Sequence, residues 1–148
     1  MNKLEFEAIR SNWEAIRPNA RFAARLFYTR LLLIDPSLGP LFRRNPEEQS
    51  QRLLRAIGIA VYGISQPRIL QPLLRMLGRH PAVRRMTSSQ FESIGQAMLW
   101  TLRIVLDEAF DRTSRRAWDN LYRSVSGTLR DASRETYGMV PTELLAAA

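Results

Sequence analysis

Cysteine is absent from this chain, and its absence removes several classes of function. Without a thiol, disulfides, thiolate metal sites and cysteine nucleophiles are excluded, and nothing in the composition indicates an oxidising compartment. Histidine is almost as scarce, because His80 is the only one in 148 residues. We also find no serine–histidine–acid constellation, phosphate-binding loop or carboxylate pair that would indicate hydrolytic or phosphoryl chemistry.

Long hydrophobic runs are also missing. The longest, residues 56–64, is about half of the 20 or so residues that span a bilayer. The first residues have neither a basic region nor an apolar core of the kind found in signal peptides, so we expect a cytoplasmic protein with no membrane partner.

Lysine occurs once, at Lys3, so the net charge of +8 comes almost entirely from arginine. The arginines recur along the whole chain, which is typical of solvated helix faces. A basic surface without a motif that reads bases is weak evidence for nucleic-acid binding, and we do not expect a nucleic-acid partner.

Apolar residues recur at three- to four-residue spacing, and no alternating run predicts a strand, so the class is all-α. Pro18 separates a first helix from a second that extends to about Ile34. Asp35-Pro36 and Asn45-Pro46 each combine a capping side chain with proline, and they predict a short turn and a long helix. Pro67, Pro72 and Pro81 are expected to break the middle of the chain into short pieces.

Two more helices follow. Thr87-Ser88-Ser89-Gln90 has the spacing of a capping box and precedes a strongly apolar helix. Asp111 or Thr113 is expected to cap the last long helix. The predicted division is one domain, residues 3–137, followed by a flexible tail, residues 138–148, that contains Pro141 and three terminal alanines.

Four segments in this order resemble the globin family, in particular single-domain bacterial haemoglobins, the haem domain of flavohaemoglobins, and neuroglobins. The segments are residues 26–42, which resemble the B and C helices, Gln49 and Leu53 in the E helix, residues 91–102 in the G helix, and residues 117–122 in the H helix. The resemblance implies a globin fold of seven to eight helices around a central pocket for haem b.

The resemblance also implies the side chains of the pocket. Tyr28 and Gln49 would face the distal side, where a phenol and a carboxamide can donate hydrogen bonds to bound dioxygen, and Phe42 and Leu53 would keep that side dry. Taken singly, each of these has a plainer role as core or helix surface. The remaining residues expected against the haem are Leu77, Met86, Phe91, Ile94 and Met98. Arginines 43, 44, 79 and 84 are weaker candidates for pairing with the haem propionates.

The proximal side departs from the family pattern. Gapless alignment places Pro81 where the family has its iron-binding histidine, and His80 stands one residue earlier. One residue turns a helical side chain by about 100°, but Pro81 also forces His80 out of helical geometry. Two alternatives remain: His80 binds the iron after a local shift of the backbone, or the chain is a haem-free sensor or interaction module that has lost its ligand.

The expected function is reversible binding of dioxygen or nitric oxide for storage, sensing or slow oxidation of nitric oxide. Flavohaemoglobins carry a tyrosine and a glutamate beside the proximal histidine, and Phe91 and Ser133 stand at those positions here. Without that carboxylate, fast turnover is disfavoured, so an enzymatic role is the weaker alternative and would need an external reductase. Tyr62 and Trp100 are interpreted as core, with a homodimer face as the alternative.

Overall fold

The chain folds into eight α-helices in a computed structural model that describes residues 1–42 and 45–147. For Pro46 and for residues 135–147, only the backbone is described. The helices, in chain order, are α1 (Lys3–Ile16), α2 (Ala20–Ile34), α3 (Gly39–Phe42), α4 (Pro46–Gly63), α5 (Pro67–Gly78), α6 (Pro81–Arg84), α7 (Ser88–Leu106) and α8 (Arg112–Ala147). No strand occurs in these residues, and the all-α prediction is confirmed.

The helix starts follow from local chemistry. Proline is the first residue of α4, α5 and α6, where its missing N–H removes a donor that has no helical partner anyway. The predicted capping box before α7 is present: Thr87 accepts from the Gln90 amide and Gln90 from the Thr87 amide. Asp111 caps α8 by accepting from the Ser114 amide at 2.8 Å.

One expected break is wrong. Pro72 lies inside α5, which continues without interruption to Gly78. The ring is on the exposed side of the helix, where water can reach the carbonyl that has lost its hydrogen-bond donor.

The packing leaves two neighbouring apolar clusters. α1 and α5 pack against α8, and α2 packs against α7. One cluster joins α1, α4, α7 and α8 around Ile9, Trp13 and Trp118, whose indole N–H donates to the buried Asn12 side chain at 3.0 Å. The other cluster lies around Phe27, Leu31 and the start of α3. Of the helices described, none has the length and apolar character needed to cross a membrane.

The C-terminal tail was expected from residue 138. The bounds of α8 include residues 138–147, whose side chains lie outside the described part of the chain. The division into a domain and a flexible tail therefore stays a prediction.

Candidate functional site

An apolar cavity of about 260 Å³ lies among α1, α2, α4, α5, α7 and α8. This volume is slightly below the range for ligand pockets, about 300 to 1,000 Å³. Apolar side chains from every one of these helices line it, including Trp13, Phe27, Leu53, Ile57, Leu77, Ile94, Met98, Leu102, Leu121 and Val125.

Two hydroxyl groups on the cavity wall already have protein partners. The Thr101 hydroxyl donates to the carbonyl of Ala97 at 2.8 Å, and the Tyr122 hydroxyl donates to the carbonyl of Phe91 at 2.5 Å. Burial of the Tyr122 phenol raises its pKa above the ordinary value. The wall therefore offers a ligand mainly apolar contact.

Four of the residues expected against a haem line this cavity: Leu53, Leu77, Ile94 and Met98. They come from α4, α5 and α7, so three separate helices bring them together.

The three other distal residues, Tyr28, Phe42 and Gln49, are outside the cavity lining, and Tyr28 contacts both of the others. The rings of Tyr28 and Phe42 have centroids 5.3 Å apart. The Tyr28 hydroxyl donates to the backbone carbonyl of Gln49 at 3.1 Å, and the Gln49 side-chain amide donates to the carbonyl of Leu41 at 3.1 Å. Their donors thus tie α2, α3 and α4 together, and their role toward a ligand stays a prediction.

Burial also affects the Tyr28 phenol. Desolvation raises its pKa to about 12, because the phenolate would lose hydration that the half-buried site does not replace. The group is therefore a protonated donor throughout the physiological pH range.

Phe91 and Met86 lie outside the cavity lining. Phe91 is buried at the start of α7, with the Arg130 guanidinium 5.6 Å from its ring centroid. Met86 is half-buried in the turn between α6 and α7. Their predicted contact with a haem stays a prediction.

His80 is exposed and caps α6. Its backbone is extended (φ −63°, ψ 137°), as expected before proline, and its Nδ1 accepts from the Ala82 amide at 3.1 Å. Its ring is outside the cavity lining, although Leu77, three residues earlier, contributes to that lining.

α5 exposes an apolar edge, and one residue of it, Leu77, also lines the cavity. Leu73, Met76 and Leu77 are 43%, 66% and 45% exposed. Residues three and four apart share one helix face, and His80 follows Leu77 by three, so the chain's only histidine is at the end of this edge.

Other expected residues fall at the periphery. Arg79 and Arg84 are exposed, and Arg43 and Arg44 lie outside the described residues. Tyr62 is 56% exposed and donates to Glu14 of α1, so its interpretation as core is wrong. Trp100 is half-buried under the Arg30 guanidinium. In the described part of the chain, no cluster of three carboxylate, imidazole or thiol side chains could hold a metal ion.

Gly95 was not among the predicted site residues, although it allows Tyr122 to take its position on the cavity wall. At Gly95 a Cβ would lie 2.7 Å from the ring of Tyr122, so only glycine allows that ring to lie against α7. A glycine in the middle of an apolar helix was the available signal, because glycine there is costly unless a neighbour approaches closely.

Comparisons with known proteins agree with this geometry. The family described as Globin matches residues 25–129. Neuroglobin from Chaenocephalus aceratus is 30% identical over 140 residues, covering 84% of this chain and 87% of the relative. Neuroglobin from Danio rerio is 30% identical over 132 residues, covering 79% and 82%.

A solved structure shares the fold. The crystal structure of a hexacoordinated heme protein from an anhydrobiotic tardigrade at pH 4 superposes with a TM-score of 0.76 and 19% sequence identity, covering 91% of this chain and 96% of that one. This solved structure and the present chain therefore share the arrangement of their helices.

Proposed function

The chain belongs to the globin family, and from this premise we propose that it binds haem b in the apolar cavity and takes up dioxygen or nitric oxide there. When bound, the haem iron supplies the coordination position for the gas. Storage, sensing, or slow oxidation of nitric oxide with an external reductase are the uses that fit this site.

The observation that carries the proposal is the cavity together with the half-exposed Leu77 of α5 on its wall. Leu53, Ile94 and Met98 provide a dry wall on one side. On the other side, Leu77 leaves nearly half of its surface uncovered. A flat apolar macrocycle would bury these side chains, and burial of apolar surface is the main favourable contribution to such binding.

His80 is the residue proposed to bind the haem iron, and its present hydrogen bond sets a condition on that role. A neutral imidazole has one N–H and one lone pair. Because Nδ1 accepts from the Ala82 amide, the proton resides on Nε2 and neither nitrogen has a lone pair to offer iron. His80 must therefore leave the cap of α6 before it can bind iron.

The chain's single histidine also limits the coordination. A histidine on both faces of the haem is ruled out by count, since His80 is the only one available. We therefore expect a gas to reach ferrous iron without displacing a second imidazole, unlike a globin that has one on each side.

The distal donors are engaged in the resting state. For Tyr28 to donate to a gas, its hydroxyl must turn away from the Gln49 carbonyl, since it has one proton to give. Tyr28 and Gln49 can therefore take their proposed roles only after this link between α2 and α4 opens locally.

The test is haem titration of the haem-free protein, followed by visible absorption. A Soret band in the wild type that is strongly reduced in His80→Ala, and that returns when free imidazole is added, supports His80 as the ligand. A band unchanged in His80→Ala would overturn the ligand assignment while leaving haem binding intact.

A wild-type protein with no Soret band and a helical far-ultraviolet spectrum would overturn haem binding itself. That result would favour the alternative, a globin-fold sensor or interaction module that has lost haem.

A further inference from the structure

The net positive charge of this protein is concentrated in one segment. Residues 49–91 contain seven arginines and no aspartate or glutamate, so they carry +7 of the chain's net charge of +8. The other 105 residues are almost neutral in sum, with the remaining 15 basic and all 14 acidic residues. α5, α6 and nearly all of α4 lie in this acid-free segment.

Within it, α5 has a basic edge. Arg68, Arg75 and Arg79 are exposed, and their spacing of seven and eleven residues places them within an arc of about 40° on the helix. The twelve residues of α5 contain no carboxylate.

Next to this basic edge, the same helix exposes apolar side chains. Ile69 is 59% exposed and Met76 is 66% exposed, and with Leu73 they occupy an arc of about 60°. The opposite face, with Leu70, Leu74 and Gly78, is buried against α8. α5 is therefore anchored on one side and presents a combined apolar and basic surface on the other.

We propose that the exposed half of α5 is a docking surface for an acidic protein, whose carboxylates flank an apolar patch. Arginine pairs with carboxylates in two-point geometry, and arginine and methionine are enriched in protein interfaces. The proposal goes beyond gas binding and does not require a haem in the cavity.

Two other anionic partners fit this surface less well. Helices that lie in a membrane surface usually carry tryptophan, phenylalanine and leucine on the apolar face, and α5 has no aromatic residue. Nucleic acids present mainly phosphate, which would leave Ile69 and Met76 without an apolar counterpart.

The experiment uses two fluorescent twelve-residue peptides of equal charge, one alternating glutamate with leucine and the other alternating glutamate with serine. Fluorescence anisotropy measures their binding to the full chain at low salt, with and without haem. We expect the glutamate–leucine peptide to bind about fivefold more tightly, because only that peptide can bury Ile69 and Met76.

The basic edge is tested by the Arg68→Gln, Arg79→Gln double variant, which should weaken binding of both peptides by about fivefold or more. Its matched control is Arg115→Gln, Arg116→Gln, which removes the same charge from exposed positions on α8 and should change binding by less than about twofold.

The apolar part of the docking surface is tested by Ile69→Gln, which should abolish the preference for the leucine peptide. Ile104→Gln, at a 46% exposed position of α7, is its control and should preserve the preference. Circular dichroism of each variant checks that the fold is intact.

Three outcomes would overturn the proposal. Equal weakening by both double variants would show attraction by net charge alone. Equal binding of the two peptides would remove the apolar component. Sedimentation with vesicles of phosphatidylcholine and phosphatidylserine in a 7:3 ratio, without peptide binding, would identify a membrane surface instead.

Discussion

Tyr28 shows how one side chain can have a structural role and a proposed ligand role at the same site. Its hydroxyl joins α2 to α4 through the Gln49 carbonyl, and its ring packs against Phe42. The same hydroxyl is the donor proposed for a bound gas. The two roles exclude each other at any one moment, so substitution at this residue should affect both stability and gas release.

Tyr28→Phe should speed dioxygen dissociation by about tenfold, the factor that corresponds to the loss of one hydrogen bond of roughly 1.4 kcal/mol. It should also lower the free energy of unfolding by about 1 kcal/mol, because the Gln49 carbonyl loses its donor. Stopped-flow displacement of dioxygen by carbon monoxide, and urea unfolding, measure the two effects. Lower stability with an unchanged dissociation rate would restrict Tyr28 to its structural role.

The raised pKa of Tyr28 predicts alkaline sensitivity. Its pKa is about 12 in the folded protein and 10.0 without burial, so the folded state holds the proton more tightly. Stability from this group is fully present below pH 10 and falls as the pH rises from 10 toward 12. Urea midpoints measured at several alkaline pH values should decline less steeply in Tyr28→Phe. Equal slopes in the two proteins would contradict the assignment.

At the scale of helices, the contact between α5 and α8 determines how the proximal side is placed. At Gly78, the last residue of α5, a Cβ would lie 2.6 Å from the Leu129 carbonyl oxygen and 2.8 Å from the Ala132 Cβ. Two of these neighbours are parts of α8 that no side-chain rotation can move. The position of Leu77, and of His80 beyond it, therefore depends on this close approach.

Gly78→Ala should destabilise the fold by about 1 to 3 kcal/mol, because α5 and α8 must separate. Gly127→Ala is a matched control within α8, where a Cβ meets nothing within 4 Å. The control should stabilise the helix by about 0.5 to 1 kcal/mol, since alanine loses less backbone entropy than glycine. Denaturant unfolding followed by circular dichroism compares the two variants. If Gly78→Ala stabilises the fold as Gly127→Ala does, the contact between α5 and α8 does not exclude a Cβ at Gly78.

At the scale of the whole molecule, the cavity makes stability depend on what fills it. A ligand that binds only the folded state adds about 2.7 kcal/mol when its concentration is 100 times its Kd. For a protein of this size we expect haem to raise the Tm by about 5 to 10 °C. Differential scanning calorimetry with and without haem measures the shift.

Protoporphyrin without iron is the matched control for that measurement. It would fill the same apolar space but has no iron for His80 to bind, so its shift should be smaller than that of haem and the same in wild type and His80→Ala. Identical shifts for haem and metal-free porphyrin in the wild type would argue against an axial ligand from the protein.

Much of the fold could be predicted because the determining features are local. The prolines at positions 46, 67 and 81 and the Thr87 capping box act within one helical turn, and the structure has helices starting at each. Pro72 is the exception, since whether a helix tolerates proline depends on the exposure of the affected carbonyl. Tertiary packing determines whether that carbonyl is exposed, and it likewise determines that the Tyr62 side chain is exposed.

The features of the candidate site also separate into those that the sequence determines and those that tertiary packing determines. The sequence by itself determined that one imidazole is available, that no thiol is, and that Leu53, Leu77, Ile94 and Met98 are apolar residues at family spacing. Only the tertiary structure decided that these four line one cavity, that Tyr28 and Gln49 are bonded away from it, and that His80 caps α6. Composition and helical periodicity are properties of neighbouring residues, whereas a hydrogen bond between residues 21 apart exists only once helices have packed.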